Sequence, residues 1–261
     1  MKLKVDCQLD YQVHEETPVI LALRPHKKQL DSVIHEELTV EPKVHLSEYI
    51  DFYGNSCVRL VAQVGNLRVN ASSIVDVEEF SVFDDNIDST PIQHLPDNAL
   101  IYLLPSRFCE SDKMNELASD IVSYSVTGFH KVEAIRRWVN MNVKYEYNHS
   151  DSSTSALDTL KTRIGVCRDM SHLAISLCRS ISIPARFVVG YTYLLYPMDM
   201  HAWFEAYLDG KWYPFDATQH VTTGGRVVLA YGRDAADVAT ATYYGHMELQ
   251  NMHVSVERVE E

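Results

Sequence analysis

Three residues in the second half of the chain, Cys167, His201 and Asp216, have the side chains needed for acyl transfer through sulfur. Cys167 follows Gly165-Val166 and opens a stretch with Met170, Leu173, Ala174, Leu177, Cys178 and Ile181 on one helical stripe. A thiol at a helix N-terminus feels the positive end of the dipole and lies beside N–H groups that lack an intrahelical partner. Both effects favour the thiolate, the form that attacks a carbonyl carbon. The same N–H groups can then hold the oxyanion of a tetrahedral intermediate. Gly165 reads as a gap through which substrate backbone approaches the sulfur.

His201 and Asp216 lie on either side of Asp209-Gly210, a strong hairpin signal. A two-residue turn there sets Leu208 opposite Lys211, Trp203 opposite Asp216 and His201 opposite Thr218. Facing residues share one side of a sheet, and so do residues i and i+2 of one strand. His201 and Asp216 are therefore diagonal neighbours, roughly 7–8 Å apart at the backbone, within reach of a carboxylate–imidazole hydrogen bond. A four-residue turn preserves this relation and a three-residue turn breaks it. Such a dyad can activate a serine, bind a metal or activate a cysteine. Cys167 is the most convincing partner, because a helix start and a strand face meet where a helix packs on a sheet.

The elements that must position these groups fall into two regions. Residues 1–104 read as a β-sandwich: Leu3, Val5, Cys7 and Leu9 alternate at period two, and β-branched residues from Val58 to Val69 surround a Gly65-Asn66 turn signal. Residues 105–261 read as an α+β domain. Helical patterns cover Met114 to Val122 and Lys131 to Asn142, Ser155 caps a short helix with Asp158 at capping-box spacing, and a longer helix starts near Cys167 and stops before Pro184. Arg186 to Leu194 is a buried strand, and the hairpin follows it.

Composition narrows the function classes. The chain has 261 residues, 46% of them apolar and 23% charged, which suits a soluble protein with a substantial core. A net charge of −13 argues against a nucleic-acid partner, whose phosphates need a basic surface. No apolar run approaches the ~20 residues that span a bilayer, and no apolar stretch follows the charged opening Met1-Lys2-Leu3-Lys4, so neither a membrane nor secretion is expected. Five cysteines, at 7, 57, 109, 167 and 178, are odd in number and form no C-x-x-C pair. Reduced thiols in a cytoplasm are expected. The oligomeric state is not legible.

Three blocks of sequence resemble the transglutaminase-like superfamily, in particular its bacterial branch of "putative cysteine proteases". The first is Gly165-Val-Cys167-Arg-Asp169-Met-Ser171-His-Leu, continuing through Leu177-Cys178-Arg179 to Ile183-Pro184-Ala185-Arg186 and Gly190-Tyr191. The second is His201-Ala202-Trp203-Phe204-Glu205 with Trp212-Tyr-Pro214-Phe-Asp216-Ala217-Thr218, and the third is Tyr231-Gly232-Arg233-Asp234-Ala235-Ala236-Asp237. Ser182 stands where glycine is expected. The resemblance implies an α+β, papain-like core preceded by a β domain, with nucleophile, base and acid in the family's chain order. It also implies a peptide or protein amide as substrate and no cofactor or metal. It does not choose among peptidase, amidase and transglutaminase, and the competing class is a non-catalytic interaction module whose β domain binds a partner while the triad is kept for structure.

Several neighbouring residues need a reading of their own. Gly165, Trp203 and Tyr145 are the candidate substrate-binding residues, with Trp203 as cleft wall or core and Tyr145 or Tyr147 as groove lining or oxyanion donor. Asp169 suits the first turn of its helix and His172 reads as a helix-surface residue. Cys178 belongs to the core, and Cys7, Cys57 and Cys109 read as structural or incidental. A zinc site from Cys167, His172, Cys178 and His201 matches no common spacing.

Overall fold

The computed structural model describes residues 1–79, 84–220 and 225–259. The alternation at the start of the chain builds strand β1 (Lys2–Val13), whose Leu3, Val5, Cys7, Leu9, Tyr11 and Val13 are all buried. Strands β2 (Thr17–Leu21), β3 (Val33–Glu41), β4 (Ser47–Ile50), β5 (Ser56–Ala62) and β6 (Gly65–Asp76) complete the strand-rich region. The turn between β5 and β6 falls earlier than expected: Gly65 already begins β6, at φ +123°.

Helices α1 (Asp97–Leu100), α2 (Asn115–Ile121) and α3 (Gly128–Asn142) follow, then a short parallel pair, β7 (Lys144–Tyr145) and β8 (Ile164–Gly165), on either side of α4 (Ala156–Thr162). Ser155 and Asp158 form the expected capping box of α4. Helix α5 (Cys167–Ser180) is more deeply buried than its single apolar stripe suggests, since every residue from Asp169 to Arg179 is buried. It lies on strands β9 (Ala185–Thr192) and β10 (His201–Leu208). Ala202, Phe204, Ala206 and Leu208 of β10 join Leu173 and Leu177 of α5 in one apolar cluster. With β11 (Lys211–Phe215) and β12 (Arg226–Gly232) these strands form an antiparallel sheet in the order β11-β10-β9-β12.

The last strands, β13 (Ala241–Tyr243) and β14 (Met247–Arg258), return to the strand-rich region. They do not extend the helical region. β14 pairs with β1 and β13 with β2, giving two four-stranded antiparallel sheets in the orders β14-β1-β6-β3 and β13-β2-β5-β4. The strand-rich region is thus closed by the chain's end, and β1 is an interior strand. Among the described residues no helix is long and apolar enough to cross a membrane.

Candidate active site

The hairpin comes first, because its register decides what faces what. Asp209 and Gly210 have φ of +41° and +80°, both in the left-handed region, as a two-residue type I′ turn requires. Leu208 pairs with Lys211 and Phe204 with Phe215, the expected register. Beyond the last pair, His201 Nε2 lies 2.7 Å from Asp216 Oδ2. A carboxylate only accepts, so Nε2–H is the donor. Both side chains are buried, at 3% and 0% exposure, where a charge-assisted hydrogen bond counts for more than in water.

Asp216 is fixed on its other oxygen as well. The Thr218 backbone N–H and hydroxyl donate to Oδ1 at 2.9 and 2.7 Å. The loop that follows is held from α3: Asn140 Nδ2 donates to the Ala217 carbonyl at 2.9 Å, and the buried Arg136 donates to the carbonyls of Gln219 and His220. Arg136 and Asn140 belong to the helix that shapes the site, yet in sequence they read only as polar positions of α3.

Cys167 occupies the first position of α5 and is half-buried. The turn that presents it is tied by Asp169, whose Oδ2 accepts from the Val166 N–H at 2.9 Å while Arg168 donates to Oδ1. Gly165 lies directly against this carboxylate. A Cβ on Gly165 would lie 2.8 Å from the Asp169 Cβ, so the close approach that demands glycine is to the protein's own side chain.

The imidazole of His201 brings the parts together. Burial alone would discharge the ring, but hydrogen bonds and charge from Asp216, and then from Cys167, raise its pKa to about 10. Asp216 is lowered despite its burial, through His201 and Thr218. With Nε2 committed to Asp216, Nδ1 is the ring nitrogen left for the sulfur. The structure places His201 against Asp216, and Cys167 close enough to the ring to influence its charge. Tyr145, paired with Gly165 across β7 and β8, sits close enough to Cys167 that burial and the sulfur both raise its hydroxyl pKa.

Trp203 is placed differently from a groove residue. It is fully buried and packs with Val188, Val228 and Tyr231, its ring stacked 6.3 Å from that of His201. It backs the base, which is the core placement its sequence allowed. His172 is also buried, not on the helix surface. It lies between Phe108 and Phe187 and accepts from the Ala235 N–H at 3.1 Å, and burial drives its pKa down to about 3. Cys178 is in the core, so the zinc quartet does not form. Among the described residues the group spaced to hold an ion is His14, His246 and Glu248, on the surface of the strand-rich region.

Comparison with known proteins matches residues 115–217 to the transglutaminase-like superfamily and residues 1–98 to the bacterial transglutaminase N-terminal domain. A "putative cysteine protease" from Cytophaga hutchinsonii, known from its crystal structure, is 37% identical, with a TM-score of 0.92 over 100% of this chain and 91% of that one. The chain belongs to the transglutaminase-like superfamily. An uncharacterized protein of Mycobacterium leprae is 28% identical over 233 residues, 83% of this chain and 82% of that protein.

Within this transglutaminase-like chain the third motif block is architectural. Asp234 accepts from the Phe108 N–H at 2.8 Å, and Asp237 accepts from Arg233 and from the Tyr53 hydroxyl at 2.7 Å. Asn55 exchanges hydrogen bonds with the Tyr231 backbone at 2.8 and 2.9 Å. The block thereby locks the strand-rich region to the sheet that carries His201. Arg179, at the far end of α5, donates to the carbonyls of Ala185, Leu104 and Arg233 and fixes the helix against the same sheet.

Proposed function

We propose that this protein is a cysteine-dependent amide hydrolase, acting on a peptide or protein amide through Cys167, His201 and Asp216. The observation that carries the reading is the buried His201, raised in pKa by a carboxylate at 2.7 Å and by the Cys167 sulfur. An imidazolium beside the sulfur stabilises its anion, which adds to the amide carbonyl. The oxyanion is held by first-turn N–H groups of α5, with the Tyr145 hydroxyl nearby. His201 then protonates the departing amine, leaving a thioacyl-enzyme. It next takes a proton from water as that water attacks the thioester and releases the acid. Asp216 keeps the ring in the tautomer that both steps require.

A second reading is acyl transfer, in which a lysine amine replaces water. The match to a bacterial transglutaminase N-terminal domain favours it, and it uses the same three residues. Incubating a glutamine-containing peptide with and without a primary amine, then weighing the products, separates the two. Hydrolysis yields ammonia or chain cleavage whether or not amine is present. A mass gain equal to the amine less ammonia would replace the hydrolase by the transferase. The five unpaired thiols support a cytoplasmic location, and the charge of −13 supports a partner other than nucleic acid.

A further inference from the structure

We propose that the groove beside His201 receives a basic side chain, lysine or arginine, of the residue flanking the attacked amide. This rests on the catalytic reading above and adds the substrate class. The groove has a volume of about 430 Å³, and its walls include Tyr145, Tyr147, Tyr196, Met200 and Asp199, with His201 itself at one end. It is continuous with the reacting ring, so a substrate segment entering along it leaves a side chain between these walls.

The chemistry of the walls sets the charge of that side chain. Tyrosine faces attract a cation through their quadrupole, and the long stems of lysine and arginine lie along apolar surface while the charged head reaches a polar group. Asp199 provides that group. It is half-buried, with Oδ1 accepting the Met200 N–H at 2.7 Å, and neither lysine nor arginine is among the described residues lining the groove. Burial raises the Asp199 pKa, and the nearby His201 pulls it back. A neutral apolar side chain would cover the carboxylate without a partner, and an acidic one would meet it as a like charge. A cationic one gains a charge-assisted hydrogen bond. The net charge of −13 draws such substrates toward the surface.

The test uses the purified full-length chain and three peptidyl acyloxymethyl ketones that differ only in the residue next to the reactive carbonyl: lysine, norleucine or glutamate. The rate of adduct formation on Cys167 is followed by mass spectrometry. The lysine probe should react about tenfold faster than the norleucine probe, and the glutamate probe slowest, as one charge-assisted hydrogen bond implies. In Asp199→Asn the lysine-to-norleucine ratio should fall toward one. Tyr196→Ala, at a side chain 96% exposed, should lower the lysine rate while the fold is kept. Equal rates for all three probes in the wild type would overturn the inference, as would a ratio unchanged by Asp199→Asn. If Cys167 reacts with the probes and with iodoacetamide no faster than the other four cysteines, the catalytic reading fails and takes this inference with it.

Discussion

A histidine that is buried and still charged needs support at its ring nitrogens, and His201 draws it from Asp216 and Cys167. This pairing was legible in the sequence because strand parity is a property of spacing: once Asp209-Gly210 is a two-residue turn, His201 and Asp216 must share a face. The purpose of Gly165 was not legible, because its steric neighbour Asp169 becomes close only when the chain turns into α5. Trp203 was half legible, since parity places it beside His201 but does not say how deeply. Replacing Asp216 by Asn should lower turnover by about 10²–10⁴-fold through the wrong imidazole tautomer. A rate equal to wild type would remove the role given to that carboxylate. The pKa directions also set the pH response. His201 is raised, so its contribution to stability is complete below its ordinary value of 6.5 and is lost as pH rises through about 10. Asp216 is lowered, so its contribution is complete above 3.8 and is lost as pH falls through the depressed value. Amide turnover needs the imidazolium, and its alkaline limb should therefore lie well above pH 6.5. A kcat/KM profile collapsing near pH 6.5 would contradict that.

At the scale of elements, the helices and the hairpin appeared close to where their periodicity placed them. Helix α5 was seen in part, because an apolar stripe reveals only one covered side. Its other sides are closed by segments far away in sequence, among them Phe108 and Phe187 against His172. Its end explains the serine found in place of glycine. Ser182 has φ +64°, in the left-handed region, and the Ser182 and Ile183 N–H groups close the helix onto the Arg179 and Cys178 carbonyls. A side chain there costs roughly 1–2 kcal/mol, offset in part by the freedom that glycine adds to the unfolded chain. Ser182→Gly should accordingly stabilise the protein by about 0.5–1 kcal/mol, read as a rise of about 2 °C in thermal unfolding. A fall in melting temperature would show that the serine hydroxyl outweighs the backbone cost.

For the whole molecule, the least legible feature was the return of the chain's end to its beginning. Strand β14 buries only Met247, Val254 and Val256 of its twelve residues, so most of it reads as polar and shows no alternation. Its hydrogen bonds to β1 nevertheless close the sheet, and without it β1 is an edge. A chain ending at residue 238 should therefore aggregate, because a long unpaired edge recruits other strands. A synthetic peptide of residues 239–259 supplied during refolding should recover soluble protein. If the shortened chain is monomeric and melts at the wild-type temperature, β13 and β14 are dispensable. The third motif block belongs to this scale too, since Asp237 and Tyr231 join the two regions through Tyr53 and Asn55.

The meeting of Cys167 with His201 is tested most directly by alkylation with iodoacetamide at pH 6, with each cysteine followed separately by peptide mass spectrometry. Cys167 should be modified well ahead of Cys7, Cys57, Cys109 and Cys178, which are buried, and its own rate should fall sharply in His201→Ala, leaving only the lead that exposure gives. Modification of Cys167 at the same slow rate in both proteins would mean that the imidazole does not activate the sulfur.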